Sequence, residues 1–370
     1  MTISLAIDAR PLARGTGGIQ RYLRSLLPHI VEIGVFDIVL YCDQPVQTSF
    51  LGTSVRIRHL AGNFSSAISW HAVVCLWAAL DKPDIYWSPR HHLPLYLPKK
   101  TVQIVTIHDF VWRTWPETVP RLQLLAEKLL MPFSLKKADK IVVISETTRS
   151  QLRQFFPIYL HKSTAILHGV DETLIPKYSH CVKRRDFFLA VGTLEPRKNY
   201  ERLIRAFDMY AEEGGSKDLT IVGKKGWGYS TILECLTKSK NKARIKIKSS
   251  VTDVELSELY SRACGFLSPS LDEGYGLPPQ EASQYGLPML LSDIDVYREL
   301  YGHADFWVCP LSVTDMAAGL KELEKKPIKR AIGLPDGRYN WQDCAKKHID
   351  FFAQTIEKPA QPSEPPNVNL

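Results

Sequence analysis

Short apolar runs rich in β-branched residues alternate along the chain with stretches in which apolar residues recur every three or four positions. The first pattern predicts buried strands and the second predicts amphipathic helices. Strands are predicted at residues 3–7, 38–42, 55–60, 85–88, 102–107, 140–144 and 164–167, and then at 187–191, 219–222, 244–247, 265–267, 289–292 and 306–308. Helices are predicted at residues 18–31, 122–137, 146–156, 200–213, 229–238, 253–262, 278–285, 296–301 and 314–325.

This alternation predicts an α/β fold, because strands separated by helices form parallel sheets that are covered on both faces. Two such series predict two doubly wound, Rossmann-like domains, at residues 1–178 and 179–339. The predicted joint is the polar, proline-containing segment 175–186. A further helical pattern occupies 340–357, and the tail 358–370 is predicted to be disordered because it has few apolar residues and four prolines. Ligands of open parallel sheets bind beyond the carboxyl ends of the strands, so the two domains should face each other across a cleft.

The net charge of +8 is concentrated in the first half of the chain. Residues 1–180 hold 20 of the 47 Lys and Arg but only 13 of the 39 Asp and Glu. This excess favours anionic partners, although a solvated basic face would have the same composition.

The sequence has no feature of a secreted or membrane-spanning protein. The seven scattered cysteines form no Cys-x-x-Cys pair, and the start of the chain has no signal-peptide pattern. The longest apolar run, at 69–80, is too short to cross a bilayer. We therefore expect a cytoplasmic protein with reduced thiols.

A glycine turn between two glutamates is the strongest candidate for a ligand site. The segment 271–281 reads LDEGYGLPPQE, follows a predicted strand and enters a predicted helix near Pro278. Free amides and the positive end of the helix dipole favour an anion at such a turn. Glu273 and Glu281 bracket the turn, which suits a ligand with hydroxyl groups on either side of phosphates. A nucleotide sugar has this chemistry, whereas the structural alternative is an ordinary strand–turn–helix.

A pair of cations follows the first strand of the second domain. Arg197 and Lys198 stand at the predicted start of the helix that follows, where cations are unfavourable unless they face an anion. Arginine can contact a phosphate through two N–H groups, and lysine supplies a point charge. The pair therefore favours diphosphate binding, with a solvated basic turn as the alternative.

Two weaker motifs follow strands of the first domain. The turn that contains Gly17 and Gly18 lacks the Gly-x-Gly-x-x-Gly spacing of a dinucleotide-binding loop, but it could approach a phosphate or sugar closely. His108 ends another predicted strand and should face the cleft. We find no zinc-ligand spacing, no Walker lysine motif and no Asp-x-Asp pair, so neither a metal nor a cofactor is expected.

In this order, the four motifs resemble the family 4 retaining glycosyltransferases, which have the two-domain GT-B fold. The resemblance extends from Ile3 to Phe352 and includes the family's paired glutamates, here Glu273 and Glu281. The sequences GTLEPRKN at 192–199 and TIHDF at 106–110 look most like those of bacterial mannosyltransferases that build O-antigen and other surface polysaccharides.

The resemblance implies a role for each of these residues. Glu273 would contact the transferred sugar, His108 would lie near it, and Glu281 would bind the ribose hydroxyls. Arg197 and Lys198 would neutralise the diphosphate. The remaining donor contacts would come from Gly17, Gly18, Val251, Gly274, Tyr275, Gly276 and Leu277. The helix at 340–357 would cross back onto the first domain.

The resemblance also implies a mechanism, together with one departure from the family pattern. Transfer would retain the anomeric configuration by front-face attack, without a metal. Many family members have an arginine where this chain has Thr193, so the phosphate charge would fall mainly to Arg197 and Lys198.

The donor and acceptor are left open at this point. GDP-mannose is the preferred donor, with GDP- or dTDP-rhamnose and UDP-glucose as alternatives. The acceptor would be a glycan or a polyprenyl-diphosphate-linked saccharide, and the enzyme could be peripheral at an anionic membrane surface. The residues expected at that surface are Trp70, Trp77, Tyr86, Trp87, Tyr96, Lys99 and Lys100.

Two other classes of protein fit the sequence less well. An NAD-dependent dehydrogenase is a distant alternative. No nucleic-acid partner is expected because the lysine run at 238–248 lacks interleaved aromatic residues.

Overall fold

The computed structural model describes residues 2–13, 17–52, 55–60, 67–170, 186–249, 251–327 and 340–357. Two separate parallel sheets organise the chain. The first contains β1 (Ile3–Asp8), β2 (Phe36–Cys42), β3 (Arg56–His59), β4 (Ile85–Ser88), β5 (Val102–Ile107), β6 (Lys140–Val143) and β7 (Ser163–Ala165). The second contains β8 (Phe187–Val191), β9 (Asp218–Val222), β10 (Ile245–Lys248), β11 (Gly265–Ser268), β12 (Met289–Ser292) and β13 (Phe306–Val308).

Helices follow most of the strands. Those of the first half are α1 (Arg10–Ala13), α2 (Gly18–Ile33), α3 (Ala67–Asp81), α4 (Val111–Thr114), α5 (Arg121–Lys137) and α6 (Glu146–Phe155). Those of the second half are α7 (Tyr200–Glu212), α8 (Tyr229–Lys238), α9 (Asp253–Arg262), α10 (Leu277–Gln284), α11 (Asp295–Leu300), α12 (Val313–Glu324) and α13 (Trp341–Glu357). The predicted alternation of strands and helices is confirmed. The one-turn helices α1 and α4 were not predicted, because four residues are too few to show a period.

Both sheets have the same topology around their centres. The strand order is β3-β2-β1-β4-β5-β6-β7 in the first sheet and β10-β9-β8-β11-β12-β13 in the second. The order reverses direction between β1 and β4 and between β8 and β11, and loops that leave the carboxyl ends at such points open a crevice. The glycine turn after β1 and the glutamate turn after β11 therefore start at the two crevices.

Each sheet carries a hydrophobic cluster on both faces, as a doubly wound sheet requires. On the first sheet, α2 packs against one face, and α3 and α5 pack against the other. Helix α13 joins the cluster on the face of α2, where the ring of Phe352 lies 5.3 Å from that of Trp87. The last described helix therefore lies on the first sheet, although it follows the second sheet in the sequence.

The domain boundaries remain predictions. Most of the predicted joint at 175–186, the segment before the last helix and the tail 358–370 lie outside the described residues.

The aromatic residues expected at a membrane surface are mostly in the protein core, so this expectation was wrong for three of them. Trp70, Tyr86 and Trp87 are fully or almost fully buried, because they pack between α3 and the sheet or within it. Trp77 is half-buried, and Tyr96 is exposed. In the described part of the chain, no helix combines the length and apolar character needed to cross a membrane.

Candidate functional site

A cleft of about 1280 Å³ lies between the carboxyl ends of the two sheets. Its volume exceeds the roughly 300–1,000 Å³ of an ordinary small-molecule site, so it has room for two substrates side by side. All twelve predicted site residues line it: Gly17, Gly18, His108, Arg197, Lys198, Val251, Glu273, Gly274, Tyr275, Gly276, Leu277 and Glu281. Residues that are far apart in the sequence thus surround one space.

Glu273 is the electrostatic centre of the C-terminal side of the cleft. Its carboxylate is buried and forms ion pairs with Arg197, at 2.5 Å, and with Lys198. The hydroxyl of Ser270 donates a third hydrogen bond, of 2.8 Å. Burial opposes ionisation, but the two cations outweigh it and lower the pKa of Glu273 to about 2. Glu273 is therefore charged at neutral pH and holds both cations in place.

The two cations are fixed by their backbone. They lie in a 3₁₀ turn, Pro196–Lys198, and not at the first residues of α7 as predicted, because Asn199 adopts a left-handed conformation between the turn and the helix. The side chain of Asn199 donates to the carbonyls of Pro269 and Pro310, at 2.9 and 2.7 Å. This amide thus anchors the cation turn to the loop that carries Glu273.

Arg197 makes further polar contacts besides its ion pair with Glu273. Its guanidinium also contacts the carboxylate of Glu195, at 2.9 Å, and the carbonyl of Asp272, at 3.0 Å. Burial opposes the charge of Arg197, but Glu273 and Glu195 raise its pKa well above the usual value. Arg197 is therefore a permanent cation, and its guanidinium group is held in one orientation by these contacts.

The glycine turn after Glu273 contacts the N-terminal domain directly. A Cβ atom on Gly274 would lie 1.7 Å from the carbonyl oxygen of His108, so only glycine fits this approach. The hydroxyl of Ser145 donates to the carbonyl of Gly274 at 2.9 Å. The Tyr275 hydroxyl donates to the carbonyl of His168 at 2.8 Å. The turn therefore forms part of the contact between the domains.

Gly276 completes this turn in a left-handed conformation. Its φ of +92° is one that L side chains rarely adopt, and a Cβ there would lie 2.6 Å from the ring of Tyr297. The hydroxyl of Tyr301 donates to the Gly276 carbonyl at 2.6 Å. Two buried tyrosines thus fix the backbone that leads into α10.

Glu281 lies on α10 and is also paired. Its carboxylate contacts Arg21 of α2, at 2.9 Å, and accepts a hydrogen bond of 2.7 Å from Tyr260. Glu281 is the fifth residue of α10, because the helix begins at Leu277, one residue before the predicted start. Sequence reasoning missed the pairing of Glu281 with Arg21, which follows the turn of Gly17 and Gly18 by three residues.

His108 is buried against the N-terminal wall of the cleft. Its Nε2 atom lies 2.9 Å from the carbonyl of Pro89, which selects the tautomer with a proton on Nε2. Burial, and secondly the neighbouring His91, lower the pKa of His108 to about 4. The imidazole is therefore neutral at pH 7 and cannot serve as a cation for a phosphate.

A cluster of two histidines and one glutamate on the same wall was missed from the sequence. Glu127 of α5 lies 3.3 Å from Nδ1 of His91 and 3.1 Å from Nε2 of His92. The N–H of His108 donates to Nε2 of His91 at 3.1 Å, so the proton of neutral His91 lies on Nδ1 and faces Glu127. Burial opposes the charge of Glu127, but His91 and His92 outweigh it and lower its pKa. The two histidines could have been singled out from the sequence because they closely follow a predicted strand, whereas Glu127 belongs to no motif.

A second cross-domain contact involves Asp272. The hydroxyl of Thr114, in the N-terminal domain, donates to the Asp272 carboxylate at 2.5 Å. Burial raises the pKa of Asp272 to about 6. Elsewhere on the same boundary, the carboxylate of Glu299 accepts from the N–H groups of Glu146 and Thr147, at 2.8 and 2.7 Å. These contacts hold the domains together along the cleft.

Lys224 and Lys225 also line the cleft but were not predicted. The N–H of Leu194 donates to the carbonyl of Lys224 at 2.8 Å, so the two lysines lie beside the position of Thr193. They add positive charge where the sequence departs from the family pattern. No group of three or more His, Cys, Asp or Glu side chains in the described residues, the cluster of His91, His92 and Glu127 included, could hold a metal ion.

Two facing Rossmann-like sheets with an anion-compatible cleft define the class of GT-B glycosyltransferases, and comparison with known proteins gives the family. A model described as "Glycosyltransferase Family 4" matches residues 16–174, and one described as "Glycosyl transferases group 1" matches residues 172–332. The chain therefore belongs to the family 4, group 1 glycosyltransferases. This assignment leaves the dehydrogenase alternative without support.

Characterised relatives are moderately similar over most of the chain. The O-antigen chain mannosyltransferase B of Escherichia coli is 26% identical over 75% of this chain and 76% of its own length. The O-antigen chain mannosyltransferase RfbU of Salmonella typhimurium is 24% identical over 87% of this chain and 92% of its own.

Solved structures confirm the GT-B fold. The sucrose-phosphate synthase of Thermosynechococcus elongatus superposes with a TM-score of 0.75 and 17% identity, over 96% of this chain and 99% of its own. The Anabaena protein HepE, solved with UDP and glucose, superposes with a TM-score of 0.71 and 13% identity, over 95% of this chain and all of its own.

The approach of Gly274 to His108 yields the first prediction. Gly274→Ala places a methyl group against a backbone carbonyl that cannot rotate away. We expect the unfolding free energy to fall by about 3 kcal/mol and the domains to move apart. Thermal unfolding and the radius of gyration from small-angle X-ray scattering measure these effects.

Gly302→Ala is the matched control, because the nearest atom to its added Cβ lies 3.5 Å away. It should change the unfolding free energy by no more than about 0.5 kcal/mol. If Gly274→Ala matches the wild type in both measurements, the contact between the domains is not as described.

Proposed function

We propose that this chain is a retaining, metal-independent hexosyltransferase that moves mannose from GDP-mannose to a glycan or polyprenyl-diphosphate-linked acceptor in surface-polysaccharide synthesis. The observation that carries the proposal is the ion-paired group of Glu273, Arg197 and Lys198 in the wall of a cleft large enough for two substrates. The parts of the donor are assigned below to the residues of this group and to their neighbours.

The diphosphate would bind at the cations. Arg197 and Lys198 are already oriented by Glu273, and Lys224 and Lys225 line the same cleft. The glycine turn at 274–276 leads into the N-terminus of α10, where backbone amides and the helix dipole favour an anion. This charge would stabilise the diphosphate as it leaves, which is the largest contribution that a preorganised site makes to such a reaction.

The sugar would lie against Glu273 and the ribose against Glu281. A buried carboxylate is a strong acceptor for sugar hydroxyls. Both carboxylates are engaged by cations, Glu281 through Arg21 of the opposite domain. We infer that donor binding exchanges part of these ion pairs for hydroxyl contacts. Val251, just before α9, would contact the base of the nucleotide, and the backbone of Gly17 and Gly18 would contact the phosphates.

The electrostatics of Glu273 argue against a covalent intermediate at this carboxylate, as the proposed front-face attack requires. A double displacement needs a carboxylate that attacks the anomeric carbon. Glu273 is a poor nucleophile, since its pKa is lowered to about 2 and two cations compensate its charge. In the proposed mechanism the acceptor hydroxyl attacks from the side of the departing diphosphate, which takes its proton. The protein supplies position and charge.

The choice of mannose rests on the relatives. Both reported O-antigen relatives are mannosyltransferases, at 26% and 24% identity. The HepE structure with UDP and glucose keeps UDP-glucose open as an alternative, and rhamnose donors remain a further one. An O-antigen role would place the enzyme in the cytoplasm, at the inner face of the membrane that carries the lipid-linked acceptor.

The acceptor would bind along the N-terminal wall. His91, His92 and the buried Glu127 form a polar cluster opposite the donor side, and Arg90 lines the cleft beside them. Glu127 is charged and can accept hydrogen bonds from hydroxyl groups of an acceptor sugar. His108, which is neutral, would contact the donor sugar without contributing charge.

A donor panel tests the reaction. Purified protein is incubated with GDP-mannose, UDP-glucose, and GDP- and dTDP-rhamnose, and release of free nucleotide and the thermal midpoint are measured. We expect GDP-mannose to raise the midpoint and to be turned over fastest. Glu273→Gln should lower turnover by about 10²-fold or more, because the charge that orients both cations and binds the sugar is lost.

Glu258→Gln, at an exposed position of α9, is the control and should turn over at the wild-type rate. Wild-type turnover in Glu273→Gln, or no response to any of the four donors, would refute the assignment.

Glu127→Gln separates acceptor binding from donor binding. We expect the KM for a short mannose oligosaccharide to rise by about tenfold, since the loss of a charged hydrogen-bond acceptor costs about 1.5–3 kcal/mol. Donor affinity, measured by calorimetry, should not change. Glu117→Gln, at an exposed position of the same domain, should leave both unchanged. A loss of donor affinity in Glu127→Gln would place this residue on the donor side instead.

A further inference from the structure

The exposed apolar residues of the chain are concentrated on one face of the first sheet. Seven of the sixteen exposed large hydrophobic side chains of the described residues lie there. We define this leucine face as Leu76 and Leu80 of α3, Leu95 and Tyr96 of the following loop, and Leu122, Leu125 and Leu129 of α5. Several large apolar side chains exposed on one side of a domain are typical of a contact with a partner or a membrane.

The three segments are neighbours in space. Helices α3 and α5 pack on the same side of the sheet in one hydrophobic cluster. The loop lies between them, since Cys75 of α3 donates to the carbonyl of Tyr96 at 3.1 Å and Lys137 of α5 donates to the carbonyl of Leu95 at 2.7 Å. The three segments of the leucine face therefore lie on the same side of the sheet, with the loop held between the two helices.

The apolar positions on α5 follow the period of a helix. Leu122, Leu125 and Leu129 occur at intervals of three and four residues and are 84%, 55% and 64% exposed. Helix α3 has no charged residue from position 67 to 80. A helix that is apolar on its outer side as well as its inner side needs a nonpolar environment on both.

Exposed cations lie on α5 and just after the loop, whereas the exposed carboxylates Asp84, Glu117 and Asp139 lie outside these segments. Arg121, Lys128 and Lys136 are exposed on α5, and Lys99 and Lys100 follow the loop. The only acidic residue of α5 is Glu127, which is buried on the cleft side.

A second pocket, of about 320 Å³, adjoins Leu125 and Leu129 on α5. It is lined by Trp112, Arg113, Pro116, Lys128 and Pro132, and thus by two cations and no carboxylate. Its chemistry suits the phosphate of a lipid headgroup.

A second copy of the chain is a poor occupant of this face. A twofold contact would bring the same cations of both copies together, because such an interface pairs a surface with itself. An anionic lipid surface complements both the leucines and the cations.

We propose that the leucine face docks on an anionic lipid bilayer, with the pocket at Arg113 and Lys128 around a headgroup phosphate. Helix α5 then lies between the bilayer and the cleft. Its outer side meets lipid while Glu127, on its inner side, lines the cleft about one helix diameter, roughly 10 Å, away. If the proposed function holds, a lipid-linked acceptor reaches the cleft from this surface. The docking itself does not depend on the identity of the donor or acceptor.

Vesicle co-sedimentation of the full-length chain tests the proposal. We expect binding to vesicles rich in phosphatidylglycerol at low salt, and weaker binding at high salt or to phosphatidylcholine alone. The double variant Leu125→Glu/Leu129→Glu should bind at least about tenfold more weakly, because it removes apolar contacts and adds negative charge. Val254→Glu, which replaces a residue that is 70% exposed on α9, should bind like the wild type.

The thermal midpoint of each variant and its rise with GDP-mannose show that the fold and the donor site are intact, which separates this test from that of the proposed function. Wild-type binding by the double variant, or no binding by the wild type at low salt, would overturn the proposal. A wild-type dimer in light scattering that the double variant dissociates would overturn it as well, in favour of a contact between copies.

Discussion

The buried ion pairs of Glu273 with Arg197 and Lys198 are the interaction on which the site depends. Neither cation would remain in the wall of a cleft without a carboxylate, and the carboxylate would not stay ionised without them. The group fixes the loop after β8 against the loop after β11, at the point where the strand order of the second sheet reverses. The positions of the two cations proposed to bind a diphosphate are therefore fixed by contacts within the protein.

The same loop also joins the two domains. Gly274 touches the His108 carbonyl, Tyr275 reaches the carbonyl of His168, and Asp272 accepts from Thr114. A ligand that moves this loop must therefore change the contact between the domains. The family signature thus carries two functions in one segment, an anion-compatible turn and an interdomain contact, and the glycine at its centre is required for the second.

The predictions from the sequence were most successful for features that depend on residues close together in the chain. Strand and helix periods were sufficient to predict both sheets, and the turn motifs together with the family resemblance selected twelve residues that line one cleft. The predictions failed where partners meet only after folding. The Glu127 cluster, the pairing of Arg21 with Glu281, and the burial of Trp70 and Trp87 depend on which helix face turns inward, which a single sequence does not specify at those positions. The chemical roles of the twelve residues remain predictions.

The central claim is that the cations held by Glu273 receive the diphosphate, and calorimetric titration of GDP tests it most directly. GDP lacks the sugar, so its affinity reports on the phosphate contacts without those of Glu273 to the hexose. The account predicts that Lys198→Gln weakens GDP binding by about tenfold or more, in line with the loss of one charge-assisted hydrogen bond. It also predicts that binding to the wild type weakens with added salt. An unchanged GDP affinity in Lys198→Gln would contradict the account.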